Sequence, residues 1–422
     1  MSTSEQALMS TRQRTISMVI LFLMMVFASA DRFVFSLLIV PVKAEFGLSD
    51  TMMGLLTGPA FAILYATLGI PVARIADVGN RRAVISIALA LWSSMTVLCG
   101  MATTLVQLFI FRIGVGIGEA GAVPPSHSLI SMYYPPERRS VAFAIVNVGS
   151  AAGSILVMVI GGWIVVHYGW RMVLIVFGLP GILVAVLAHF MLYETRTGFP
   201  MPKLLKVFSE SFEAARRLFA IPAFRHLAVV YTIYGFVAYG GFMWDITFFY
   251  RSFEIPFQKL TPILGVSAVV SSLVGLMSGG YLGNYLGGKS LSWLARIPMY
   301  AMFCCFPLFL MKYLVFDFYL SVVLTTLGAI ILMMFVAPFY AAVQAIVPEG
   351  DRGMATAIMV FLGNIIGMGI GPFATGFLSD TLVPLAGVES LRYTLVLLVF
   401  LLPLAGLHGL LATRHMRKQN VI

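Results

Sequence analysis

Twelve apolar runs, most of them twenty or more residues long, punctuate the chain near 16–40, 52–76, 83–101, 104–130, 140–166, 170–192, 224–250, 260–286, 292–314, 318–346, 354–380 and 391–412. A helix of that length crosses the hydrocarbon core of a bilayer. Lipid offers no partner to backbone amides, and the runs far exceed the alternating segments of about ten residues that build membrane barrels, so each must close its own hydrogen bonds as a helix. The fold class expected is an all-α polytopic membrane protein with twelve transmembrane helices, called here spans 1 to 12. Composition agrees: of 422 residues, 60% are hydrophobic and 10% charged, a balance unsuited to a water-exposed surface of this size.

The formal net charge of +10 could suggest nucleic acid, but the positions of the cations argue otherwise. Arg12, Arg14, Arg81, Arg82, Arg138, Arg139, Lys203, Lys206, Arg216, Arg217, Arg352, Arg414, Arg417 and Lys418 fall in loops and span ends on one side. With both termini cytoplasmic this is the positive-inside distribution, matched to an anionic inner leaflet. The bilayer is therefore the expected partner, nucleic acid is not, and the inner (plasma) membrane is the expected location. No small-residue cleavage site follows a short apolar core at the start, so span 1 is expected to persist. Cys99, Cys304 and Cys305 offer neither metal-ligand spacing nor a disulfide framework, and no metal or cofactor is expected.

The longest polar interval, 193–223, divides the chain into a six-helix bundle over 1–192, a cytoplasmic linker, and a six-helix bundle over 224–422. Lys203 to Ala220 alternates apolar and charged residues at helical spacing, which suits either a helix lying on the inner membrane surface or a partly buried linker helix. The halves repeat. Pro135, Arg139, Ala142, Ala144 and Ile145 match Pro348, Arg352, Ala355, Ala357 and Ile358 at a constant offset of 213, and Asp77 to Arg82 after span 2 matches Asn284 to Lys289 after span 8 at 207. Duplicated six-helix halves are the plan of secondary transporters that rock about a site between the halves near mid-membrane.

Ala73-Arg-Ile-Ala-Asp77 followed by Gly79, Asn80, Arg81 and Arg82 resembles the signature of the major facilitator superfamily, and the likeness covers nearly the whole chain. The family's initial Gly is replaced by Ala73, and the acid of its second-half copy by Asn284. The resemblance implies that Asp77, Arg81 and Arg82 act as a conformational lock at the inner ends of the halves. Asp31-Arg32-Phe33 in span 1 and Arg112-Ile-Gly-Val-Gly-Ile-Gly-Glu119-Ala120 in span 4 are similar to the spinster family of lysolipid transporters, with Trp92-Ser93, Trp170-Arg171 and Phe177-Gly-Leu-Pro-Gly181 in support. Organic-anion:proton symporters share the Asp-Arg pair and the acid of span 4. The function implied is proton-coupled transport of an amphiphilic anion, such as a lysophospholipid or sphingoid phosphate, by a monomer. An organic-anion:proton symporter or a drug exporter of the same superfamily is the alternative.

Asp31, Arg32, Arg112 and Glu119 are charges inside apolar spans, where they are costly and usually functional. Neighbours on a helix diverge by about 100°, and residues seven apart lie about 10 Å apart along the axis, so neither helix pairs its own charges. Cross-pairing of Arg32 with Glu119 and of Arg112 with Asp31 is expected. Arg32 is the expected anion ligand, Asp31 and Glu119 the proton carriers, and Arg112 their partner. A static network that merely fixes span 1 on span 4 is the competing account.

Further polar residues fall in the second half: Trp244 and Asp245 with Tyr239 in span 7, Tyr340 and Gln344 in span 10, and Asn364 in span 11. These complete the expected substrate-binding set. An enzyme is not expected, because no metal cluster or nucleophile with a base emerges and His127 and His189 stand alone. A receptor would need neither duplicated halves nor a lock.

Overall fold

The computed structural model describes residues 9–198 and 204–418; the side chains of residues 70, 73, 74, 76–78, 136, 137, 140, 204–208, 210 and 418 lie outside that description. The lock residue Asp77, the signature residue Ala73 and the linker residues Lys203 and Lys206 therefore fall outside the described side chains. The described residues form helices and no strand. In chain order these are α1 (Thr11–Phe46), α2 (Asp50–Thr57), α3 (Pro59–Val78), α4 (Arg81–Met101), α5 (Leu105–Glu119), α6 (Val123–Tyr133), α7 (Pro136–Leu156) and α8 (Gly162–Met191). They continue as α9 (Leu204–Phe219), α10 (Pro222–Phe253), α11 (Phe257–Gly287), α12 (Ser292–Leu314), α13 (Phe318–Met334), α14 (Val336–Ile346), α15 (Arg352–Leu362), α16 (Gly371–Ala386), α17 (Ser390–Val399) and α18 (Leu401–Lys418).

Ten continuous helical tracts are long and apolar enough to cross a membrane, and two of them, Val141–Met191 and Glu349–Arg417, run to 51 and 69 residues. At 1.5 Å per residue neither fits one crossing. The first breaks at Gly169, whose φ of +80° suits a residue without a Cβ, and the second at Gly387, φ +55°. Twelve spans result. The outward faces agree with a lipid solvent, since Val106, Phe190, Met277 and Tyr319 are exposed.

Contacts gather the chain into two compact units: Met1–Leu48 with Ala60–Leu204, and Ser49–Pro59 with Leu205–Ile422. Each unit clamps its first span on its fifth through glycine. In the first, a Cβ at Gly153 would lie 2.1 Å from the Val26 carbonyl oxygen of α1, so the backbones touch. In the second, a Cβ at Gly367 would lie 2.7 Å from the Gly235 backbone of α10. Spans 5 and 11 also each carry a π-helical stretch, Val157–Gly161 and Gly363–Ile370. The sequence repeat thus corresponds to a repeat of packing.

Residues 49–59 go with the second unit because α2 lies on α16 at backbone distance. A Cβ at Gly54 would meet the Pro372 oxygen at 2.5 Å, and one at Gly376 the Asp50 oxygen at 2.2 Å. Span 2 is interrupted between α2 and α3 at Gly58, whose φ of −101° and ψ of −91° are not helical.

Candidate transport site

The glycines of α5 set the distances of the charged cluster in the first unit. A Cβ at Gly114 would strike the Met95 side chain of α4 at 2.7 Å, one at Gly116 the Phe61 carbonyl of α3 at 2.3 Å, and one at Gly118 the Trp92 nitrogen of α4 at 2.7 Å. Alternate glycines therefore seat α5 against α3 on one side and α4 on the other, and bring Arg112 and Glu119 inward.

Arg32 Nε donates to Glu119 Oε2 at 2.6 Å, pairing α1 with α5. Arg32 Nη2 donates to the Tyr65 hydroxyl of α3 at 3.0 Å, and its guanidinium lies 4.8 Å from the Tyr65 ring centre. Arg112 behaves otherwise. Its Nη1 donates to the main-chain carbonyl of Asp31 at 3.2 Å, not to the carboxylate as the sequence suggests, and its guanidinium is held between the Phe35 and Phe61 rings at 4.4 and 4.6 Å. The cause is geometric: two aromatic faces occupy the directions in which the guanidinium could swing.

Both Asp31 carboxyl oxygens, Glu119 Oε1 and Arg112 Nε are buried with no hydrogen-bond partner. Trp92 Nε1 and Ser93 Oγ of α4 are in the same condition. Exposure divides the four charges: Asp31, Arg112 and Glu119 are at 2% or less, whereas the Arg32 side chain is at 22%. Arg32 is thus the most exposed of the four, and its ionic partner Glu119 is fully buried.

In the second unit, Asp245 accepts from Lys312 Nζ at 2.6 Å and from the Tyr313 hydroxyl at 3.4 Å. Lys312 is buried, with Phe249, Phe309 and Tyr313 rings around its ammonium. Tyr340 shares a 2.8 Å hydroxyl contact with Tyr231, Gln344 donates to Thr356 Oγ1 at 2.8 Å, and Tyr239 and Asn364 are half-buried. Trp244 does not fit the expected substrate set: it is fully buried and its Nε1 donates to the Pro372 carbonyl at 3.0 Å. Packing of α10 on α16 uses its whole side chain.

The sequence profile of the Major Facilitator Superfamily matches residues 21–372. The chain belongs to that superfamily. It is a transporter, not an enzyme, and a multi-pass integral membrane protein. An MFS-type efflux pump of Mycolicibacterium smegmatis is 30% identical over 89% of this chain and 87% of its own. A hexuronate transporter of Bacillus subtilis is 24% identical over 85% and 86%. Among solved structures, a bacterial homolog of the human lysosomal transporter Spinster, in an inward-facing and unoccupied conformation, superposes with a TM-score of 0.85 at 28% identity, covering 97% of this chain and 99% of that one.

In this transporter Arg81, which the resemblance assigns to the lock, is committed inside the first unit. Arg81 is 1% exposed, donates to Glu194 through Nε at 2.6 Å and Nη2 at 2.7 Å, and reaches the Ser128 hydroxyl at 3.1 Å. Burial raises the Glu194 carboxyl, but the hydrogen bonds from Arg81 and from the Arg196 backbone outweigh it and hold the group below its usual range. Arg82, its neighbour, is half-buried. Sequence reasoning missed Tyr65, Lys312 and Glu194. Lys312 is a cation two residues inside the end of an apolar run and was legible by the criterion that found Arg32. Tyr65 and Glu194 acquire their partners only by folding.

Proposed function

We propose that this transporter moves an amphiphilic anion coupled to protons by alternating access, with Arg32 as the headgroup ligand. The observation that carries the reading is the 2.6 Å bond from a partly exposed Arg32 to a fully buried Glu119. A phosphate or carboxylate can take the guanidinium through two hydrogen bonds. Glu119, deprived of its cation in a low-dielectric site, then takes a proton. The neutral cluster no longer opposes the change of access, and release on the far side restores the pair. Asp31, whose carboxylate accepts from no cation at hydrogen-bond distance, is the second carrier, and Arg112 fixes the α1 backbone beside it.

A lysophospholipid or sphingoid phosphate is the cargo class we favour, on the likeness to the spinster structure. The hexuronate relative favours a second reading, in which the same Arg32 binds the carboxylate of a small organic acid; the efflux-pump relative adds drug export as a third. Tyr239, Asp245, Tyr340, Gln344 and Asn364 complete the proposed cargo surface, and Asp77, Arg81 and Arg82 the proposed lock, in a monomer with both termini cytoplasmic.

Reconstitution in liposomes with an imposed pH gradient separates these readings. Lysophosphatidate, sphingosine phosphate, galactonate and a cationic dye are offered in turn, with thermal stabilisation of the detergent-solubilised protein as the binding assay. Arg32→Ala should lose both stabilisation and uptake, whereas Glu119→Gln should keep stabilisation and drop gradient-driven uptake to the level of empty liposomes. Undiminished gradient-driven uptake by Glu119→Gln would overturn the coupling scheme, and stabilisation by the cationic dye alone would overturn the anion site.

A further inference from the structure

The geometry points to Tyr65 as a positioning residue that sets how readily Arg32 leaves Glu119, a role that rests on the reading that Glu119 takes a proton when Arg32 departs. Five side chains from three helices stack in one column. Phe35 of α1 lies 4.4 Å from the Arg112 guanidinium, which lies 4.6 Å from Phe61 of α3. Phe61 stacks on Tyr65 at 5.4 Å with planes 18° apart, and Tyr65 lies 4.8 Å beneath Arg32. Aromatic faces and guanidinium planes alternate along part of the column, and each such contact is favourable when desolvated.

Tyr65 adds a directional bond to this stack. A guanidinium is planar and rigid, so holding Nη2 on the Tyr65 hydroxyl at 3.0 Å while Nε is on Glu119 at 2.6 Å fixes its plane at two corners. Phe61, at the middle of the column, is tightly seated, because its carbonyl occupies the space that a Cβ at Gly116 would need. Cargo must therefore lift Arg32 from Tyr65 and Glu119 together, and Tyr65 raises the threshold for emptying Glu119.

The groups that bear on Glu119 are Asp31 and Arg32 from α1, Tyr65 from α3 through its bond to Arg32, and Arg112 from its own helix, with Cys99 of α4 bearing on Arg112 and Asp31. Of these, Tyr65 alone touches Arg32 without carrying charge. Its removal therefore tests the restraint with the charge balance intact.

N,N′-dicyclohexylcarbodiimide reads the outcome without any knowledge of the cargo. The reagent adds across a protonated carboxyl to give an acylurea, with no oxidant or reductant needed, and peptide mass spectrometry counts the adduct at Glu119 as pH is varied. In the full-length protein, Tyr65→Phe keeps the ring on Phe61 but loses the hydroxyl, and should move the labelling midpoint to higher pH by about one unit. Tyr65→Leu should move it further, and Arg32→Ala furthest. Midpoints unchanged in both Tyr65 variants while Arg32→Ala moves would overturn the positioning role and leave proton coupling standing. Labelling that rises equally at Asp31 and Glu119 at every pH would mark general loosening and also overturn it. A Glu119 that reacts in none of the variants, or identically in all, would overturn the proton reading and this inference with it.

Discussion

The charged cluster of the first unit and the carboxylates of the second are satisfied to different degrees. In the second unit, Asp50 accepts from Arg251 twice, at 2.6 and 2.7 Å, and from Ser379 at 2.8 Å, while Asp380 receives the Asp50 and Thr51 backbone amides and the Thr51 hydroxyl. Asp245 holds Lys312 and Tyr313. Among the described residues, no carboxylate of that unit keeps a buried oxygen without a partner. In the first unit, three of the four oxygens of Asp31 and Glu119 do. Buried polar groups are normally bonded because desolvation without compensation is costly. Saturated pairs hold helices in place; the proposed cycle exchanges partners at the orphaned ones.

Removing a cation from the saturated set should therefore have the largest effect on stability. Arg251→Ala strips both guanidinium bonds from the 1% exposed Asp50 and should cost on the order of 3 kcal/mol. A thermal melt in detergent should show a fall of several degrees. An unchanged melt would erase the distinction between the two sets.

The Arg81 pair shows how a saturated charge responds to pH. Glu194 is held below the ordinary value of 4.5 for its group. A folded-state acid with a lowered pKa contributes stability that is complete above the unfolded value and fades as pH falls through the folded one. The wild-type melting temperature should therefore decline below about pH 4.5 more steeply than that of Glu194→Gln, with the two curves converging in acid. Parallel curves would mean that Arg81 draws nothing from its partner.

The sequence was informative wherever one helix decides the outcome. Apolar runs located the spans, and the divergence of Asp31 from Arg32 together with the spacing of Arg112 from Glu119 ruled out pairing within a helix, so the bond between Arg32 and Glu119 could be anticipated. It failed where three helices meet. Nothing local distinguishes Tyr65 from an interfacial tyrosine; its role comes from Gly116, on another helix, admitting the α3 backbone at Phe61. Charge alone pairs Arg112 with the Asp31 carboxylate, yet Arg112 sits between the Phe35 and Phe61 rings and donates to the Asp31 main-chain carbonyl. Trp244 and Asp245 read together as one polar spot in the sequence, yet consecutive residues on a helix point about 100° apart and one is packed while the other is half-buried.

The mildest substitution draws the comparison most finely. Asp31→Asn keeps the size of a side chain that is 2% exposed, gives up no ion pair at hydrogen-bond distance, still offers the Thr96 hydroxyl of α4 an acceptor in its amide oxygen, and leaves the Arg112 bond to the Asp31 carbonyl untouched because that bond is to main chain. An isosteric amide keeps an acceptor where the carboxyl had one, so the melting temperature should stay within about a degree of wild type, consistent with the small effects of isosteric changes that break no named interaction. Proton-driven uptake should nevertheless fall, because the amide cannot take up and release the proton that the carboxyl can. A melt as depressed as that of Arg251→Ala would show that Asp31 is held by a charge interaction after all, and would move it from the exchanging set to the structural one.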